Sequence, residues 1–172
     1  MKINSNITIK EVKNSDELKQ FVMFPHELYK DSKYWVAPII KEELEVLDKE
    51  INPVFKNALA HYFLAYIDGK IVGRIAALIN WVEVNDLKKK KVRFGWFDFI
   101  DNIEVSKALL EQVKEIGKKN NLEFLEGPVG FSNMDKAGML IKGFEKKNTM
   151  ITLYNHPYYK DHMVKLGYNK LA

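Results

Sequence analysis

The chain has 172 residues, 47% of them apolar and 29% charged, a size and balance at which one domain buries its own core without covalent staples. It contains no cysteine, which excludes a disulfide framework, thiolate metal sites and a cysteine nucleophile, and suits a reducing compartment, so the expected location is cytoplasmic. The net charge of +4 comes from 27 basic and 23 acidic residues, and all of the basic ones except Arg74 and Arg93 are lysine, a solubilising pattern that argues against a nucleic-acid partner. No apolar run reaches the roughly 18 residues of a membrane span, and the opening MKINSNITIK has no signal-peptide core, so no membrane partner is expected.

In chain order, ITIKEVK (7–13) reads as a first strand. NSDELKQFVMF starts a helix with Ser15 as its cap, Asp16 and Glu17 at its positive end and Leu18, Phe21 and Val22 as an apolar stripe; Pro25 interrupts it or begins another. A second helix is expected over 37–50, with Pro38 near its first turn and Ile40, Leu44 and Leu47 on one face, closed by a turn at NPVF. HYFLAYIDGKIVGRIAALIN (61–80) is a hairpin turning at Asp68-Gly69. KVRFGWFDFI (91–100) adds a third antiparallel strand, and the lysine run DLKKKKVR (86–93) before it reads as a solvated hairpin loop. VSKALLEQVKEIGKKN forms a helix with Val105, Leu109, Val113 and Ile116 on one stripe and Asn120-Asn121 as its stop. Reached through that crossover, LEFLEGPV (122–129) should be a strand parallel to 91–100. Residues 127–143 hold four of the nine glycines and read as a long functional loop with one helical turn. NTMITLYN (148–155) is strand-like, HPYYKDHMVKLG is a last helix with Pro157 in its first turn, and YNKLA begins a strand that is not completed.

This order of elements, with FPHELYKDSKYWVAP, FLAYIDGKIVGRIAALIN, FGWFDF, EGPVGFS and NHPYYKDHMVKLGYNK, resembles the GNAT acyltransferases, and within them a group of bacterial acetyltransferase-like proteins of unassigned function, over roughly residues 20–172. The resemblance implies an α/β (α+β) fold whose mixed central sheet carries an antiparallel meander and has helices on both faces. It also implies one domain over 1–172, cut short at its last strand, whose open edge suits pairing into a homodimer. Acetyl-CoA is the implied co-substrate, and a small-molecule or peptide amine the implied acceptor.

Most GNAT enzymes hold the CoA pyrophosphate on a turn written R/Q-x-x-G-x-G/A. Laid over this chain that turn falls on Asp101, Asn102, Ile103, Glu104, Val105 and Ser106, so the basic residue and both key glycines are absent. Asp101 and Glu104 instead form a capping-box pattern, and two anions there repel a diphosphate. Asn102, Ser106 and Lys107 are the residues left to bind the cofactor at this turn. In such enzymes the backbone of the strand corresponding to 91–100 holds the thioester carbonyl near a bulge, which implicates Gly95 and Phe97; Gly95 alone marks either a bulge or room for a bulky neighbour.

Period-2 counting puts Val92, Phe94, Trp96 and Asp98 on one face, where desolvation by two aromatics would raise the pKa of Asp98 and suit it to take a proton from an amine. Asp98 is therefore the candidate base, with a hydrogen-bonded anchor at the strand end as the alternative. The acid returning a proton to the CoA thiolate is, by resemblance, Tyr159, beside Tyr158 on the last helix. Arg74, a charge in an apolar strand, either pairs with an acidic neighbour or joins Trp96 in binding substrate. His26, His61, His156 and His162 show no metal-ligand spacing, so no metal is expected, and no G-x-S-x-G motif supports a serine nucleophile. Two functions remain open: acyl transfer from acetyl-CoA to an amine, or a degenerate GNAT-like module for ligand binding or assembly.

Overall fold

The computed structural model describes residues 6–132, 134–149 and 151–171. Along them run β1 (Ile7–Glu11), α1 (Ser15–Leu28), α2 (Ile40–Leu47), a 3-10 turn (Pro53–Lys56), β2 (Ala58–Ile67), β3 (Lys70–Asn80), a π-helical turn (Val82–Asp86), β4 (Lys91–Phe99), α3 (Ile103–Lys119), β5 (Phe124–Glu126) and α4 (Tyr158–Lys165). The strands form one sheet in the order β1-β2-β3-β4-β5, antiparallel through β4 and parallel between β4 and β5. Among the described residues no helix is long and apolar enough to cross a membrane.

The hairpin between β2 and β3 turns at Asp68 (φ 49°) and Gly69 (φ 76°), the doubly left-handed turn whose twist matches its strands. Alternation along those strands then sorts the core into two layers. Phe63, Ala65, Ile75, Ala77 and Ile79 pack on the α3 stripe of Val105, Leu109, Val113 and Ile116. The intervening Tyr62, Leu64, Ala76 and Leu78 pack on Phe21 and Val22 of α1, Leu47 of α2 and Phe131. Each large apolar side chain so buried contributes about 1.5–3 kcal/mol. Helices therefore cover both faces of a mixed sheet, the architecture expected from the sequence.

Several local expectations differ. The α1 cap is Asn14, whose side chain accepts from the Glu17 N–H at 2.9 Å, rather than Ser15, and Pro25 lies inside the helix. Pro25 is tolerated because the carbonyl it cannot serve, that of Phe21 one turn earlier, accepts from Arg74 Nη1 at 2.8 Å. The end of the lysine run is not solvated: Lys91 and Arg93 are buried on β4, with Lys91 bonded to Glu126 (2.5 Å) and Glu83 (3.2 Å) and Arg93 to Glu83 through Nε and Nη2. No helical turn forms among the described residues of 127–143, which hold a single bridge between Val129 and Ala137.

The described residues of 148–155 are not a strand either. Asparagine amides supply the partners that a neighbouring strand would: Asn148 Oδ1 accepts from the Val36 N–H at 2.6 Å, and Asn155 bonds both the N–H and the carbonyl of Leu140. Residues 168–171 add no strand after α4, whose C-cap Leu166 is followed by Gly167 (φ 81°).

Candidate active site

Pro25 sets the first element of the site. The orphaned Phe21 carbonyl fixes one edge of the Arg74 guanidinium, and the group also stacks over the Phe21 ring at 5.1 Å. Its other edge binds Asp98 Oδ2 through Nε and Nη2, both at 2.8 Å. Asp98 Oδ1 accepts from the Tyr29 hydroxyl at 2.9 Å and meets the Tyr159 hydroxyl at 3.3 Å, while the two phenols lie 2.8 Å apart. Tyr159 also accepts from the Phe99 N–H at 3.0 Å, and Tyr158 donates to the Phe99 carbonyl at 2.5 Å. Two tyrosines of α4 thus clasp the end of β4. Burial pushes the phenols of Tyr29 and Tyr159 well above their ordinary pKa, and the Asp98 charge adds to the shift, so both are neutral hydroxyls.

This geometry corrects the expected face of β4. The β3–β4 register pairs Arg74 with Asp98 and Ala76 with Gly95, so Trp96 and Phe97 together stand opposite Ile75 alone. Trp96 takes φ 44°, the left-handed turn that accommodates the extra residue. One inserted residue inverts every later side chain. Val92 and Phe94 face α3, as do Phe97 and Phe99 beyond the bulge, whereas Trp96 packs on the opposite layer and Asp98 meets Arg74. Asp98 is consequently a carboxylate neutralised by a guanidinium, not one isolated among aromatics. Arg74 forms the ion pair that was one of its two expected roles, and its other edge is engaged by the Phe21 carbonyl.

The bulge also separates β4 from β5. Their ladder covers Lys91–Arg93 against Phe124–Glu126, followed by one bond from the Val129 N–H to the Phe94 carbonyl at 2.8 Å. Gly95 is needed for close approach, since a Cβ there would lie 2.5 Å from the Val129 carbonyl oxygen. Beside this divergence opens a cavity of about 240 Å³, lined by Gly95, Trp96, Phe97 and Asp98 from β4, Tyr29 and Arg74 behind them, and a largely apolar wall including Trp35, Pro38, Val46, Met139 and Leu153. Tyr159 lines it too, with its hydroxyl committed to Phe99 and the Tyr29–Asp98 pair.

The turn before α3 lies apart. Its N-cap is Asn102, whose side chain accepts from the Glu104 N–H at 3.0 Å, so the expected Asp101–Glu104 capping box does not form. Asp101 instead bonds His162 Nε2 at 2.9 Å, and His162 Nδ1 meets Ser106 Oγ at 2.8 Å. Ser106 is fully buried, with a second bond to the Ile103 carbonyl, so neither it nor the committed Asn102 side chain is presented to a phosphate. Lys107 is exposed. Tyr29 and Glu43 are pocket residues that the sequence analysis did not single out. Glu43 carried a signal, being three residues from Ile40 and four from Leu47 beside the apolar stripe of α2; nothing local in FPHELYK ties Tyr29 to Asp98.

No family model matches the chain. Protein YghO of Escherichia coli (strain K12) is 31% identical over 157 residues, covering 91% of this chain and 40% of that protein. A bacterial ceramide synthase of Caulobacter vibrioides is 26% identical over 168 residues, covering 97% of this chain and 44% of that protein. The chain thus spans less than half the length of these relatives. Among solved structures, a "predicted acetyltransferase" of Clostridium acetobutylicum with acetyl-CoA superposes with a TM-score of 0.59 at 10% identity, over 95% of this chain and 90% of that one. A tandem GNAT protein from the clavulanic acid biosynthesis pathway gives 0.53 at 12% identity, over 68% of this chain and 34% of that one. At these identities the likeness is one of architecture, and in architecture the chain is a GNAT acyltransferase-fold protein.

Proposed function

We propose that the chain is the acyl-transfer domain of an N-acyltransferase, taking an acyl group from a CoA thioester and delivering it to an amine in the cavity beside the β4 bulge. The observation that carries this reading is the coincidence of three features at one point: the left-handed bulge at Trp96, the divergence of β4 from β5 after Phe94, and an apolar cavity with a fixed polar floor. In this reading the backbone at Gly95–Phe97 meets the thioester carbonyl, Trp96 borders the amine, and the Arg74–Asp98–Tyr29–Tyr159 network holds the bulge rigid. The solved neighbour bound to acetyl-CoA supports a CoA thioester as donor. The ceramide synthase name of one relative, with the walls of Trp35, Met139 and Leu153, supports an acceptor amine on a hydrophobic body.

The α3 turn favours a second reading, a module that binds without catalysis, because Asp101 and Glu104 stand where a diphosphate would approach. Calorimetric titration with CoA, acetyl-CoA and palmitoyl-CoA, beside an Asp101→Gly, Glu104→Gly variant, separates the two. Micromolar binding by the parent with thiol release on adding amine is the expected result. Binding recovered only in the variant gives the module reading the lead.

A further inference from the structure

A primary aliphatic amine reaches a neutral site as an ammonium ion, since its ordinary pKa is about 10, and it attacks a thioester only after losing a proton. Among the described residues three carboxylates line the cavity. Asp98 is committed on both oxygens, to two guanidinium N–H groups and to two phenols, and protonating it would leave Arg74 buried without its counter-charge. Asp135 is exposed and closes its own turn, accepting from the Ser132 N–H at 2.7 Å. Glu43 remains. It is half-buried on α2, and Trp96 Nε1 donates to its Oε2 at 2.8 Å. Among the described residues the Glu43 side chain makes no other hydrogen bond or ion pair, which leaves Oε1 without a protein partner.

The link to Trp96 sets the position of this carboxylate. The same left-handed residue that makes the bulge turns its indole toward α2, so the indole N–H ties Glu43 to the point where β4 parts from β5. We infer that Glu43, held by Trp96, is the general base that deprotonates the acceptor ammonium. This rests on the acyl-transfer reading above. One ammonium proton passes to Glu43 and on to solvent; the amine lone pair forms the C–N bond as the C–S bond breaks; a second nitrogen proton leaves with the thiolate as thiol, and the amide keeps the third. The charged side chains that line the cavity with Glu43 are Arg74 and Lys136 among the cations and Asp98 and Asp135 among the carboxylates. His26 of α1 interacts with Glu43 electrostatically; burial and the Arg74 charge push its pKa below the ordinary histidine value, so it is a neutral neighbour.

The test compares the full chain with its Glu43→Gln variant, whose amide oxygen still accepts from Trp96. Thiol release is followed with palmitoyl-CoA or acetyl-CoA as donor and sphinganine or octylamine as acceptor, with amide product identified by mass spectrometry. Near pH 7 the variant should lose about 100-fold or more in kcat/KM, while its acyl-CoA affinity stays within about twofold of the parent. The deficit should shrink toward about pH 10, where the amine is increasingly free base and needs no acceptor. A variant within about threefold of the parent at every pH overturns the assignment, as does a deficit that is the same at every pH, which marks a structural role. A parent that releases no thiol with any of these pairs overturns the acyl-transfer reading and the base assignment together, whereas turnover by parent and variant alike overturns the base alone.

Discussion

β4 carries half of each of two buried arginine–carboxylate pairs, one near each end, and they are built for different ends. Near its start Arg93 meets Glu83, with Lys91 and Glu126 completing a set of two cations and two anions that ties the π-helical turn and β5 to the strand. Near its finish Asp98 meets Arg74, but the remaining partners are the neutral phenols of Tyr29 and Tyr159, and the cluster lines a cavity. Residues of the first network contribute nothing to that cavity's lining. A buried ion pair is therefore no mark of a site by itself. What separates the two is the bulge between them, which turns the second pair onto the α1 layer beside diverging strands.

The strongest test of this contrast is Arg93→Met. Glu83 would keep only Lys91 for two buried oxygens, and unfolding in denaturant should show a loss of about 3–5 kcal/mol, with acyl-CoA affinity of the folded fraction unchanged. A fall in affinity there would erase the distinction between the networks. Asp98→Asn comes next, at about 3 kcal/mol, because the amide still accepts from Tyr29 but leaves Arg74 without counter-charge. Here both denaturation midpoint and acyl-CoA binding should fall.

Titration separates the networks by sign. Burial alone raises the Glu83 carboxyl, but bonds and charge from Arg93 and Lys91 outweigh it, and the net shift is downward. Its contribution is present above the ordinary carboxylate range and is lost as pH falls through the folded value. Tyr29 and Tyr159 are shifted upward, so their contribution is complete below the unfolded phenol value of about 10 and is lost as pH rises beyond it. Denaturation midpoints measured across pH should therefore fall in acid through the first network and in alkali through the second. Arg93→Met should flatten only the acid limb and Tyr29→Phe only the alkaline one. The smallest effect belongs to neither: Asn102→Ala removes the α3 cap and should cost about 1 kcal/mol, read in the same denaturation assay, with the pocket unchanged.

Much of the architecture was legible because it depends on local rules. Asp68-Gly69 dictated its hairpin, the Val105–Ile116 stripe dictated α3, and a helix between two strands dictated that β4 and β5 run parallel. The site was legible only in part. Gly95, Trp96, Phe97, Asp98, Arg74 and Tyr159 were all singled out, and all line one cavity. An acidic partner for Arg74, an anchoring role for Asp98 and a bulge near Gly95 were among the expected alternatives, but the faces of Trp96 and Asp98 were not foreseen, because alternation counts residues while a bulge inserts one.

The sequence by itself determined the places of α1–α4 and β1–β5, their order in a mixed sheet, and an α3 turn without phosphate-binding glycines, since each follows from residues close together in the chain. Tertiary structure alone decided that Pro25 frees the carbonyl that anchors Arg74, that Tyr29 and Tyr159 meet on Asp98 from opposite ends of the chain, and that Trp96 ties Glu43 to the bulge. Those contacts join residues 53 to 130 positions apart, and a pairing at such separation depends on how sheet and helices pack rather than on any local pattern.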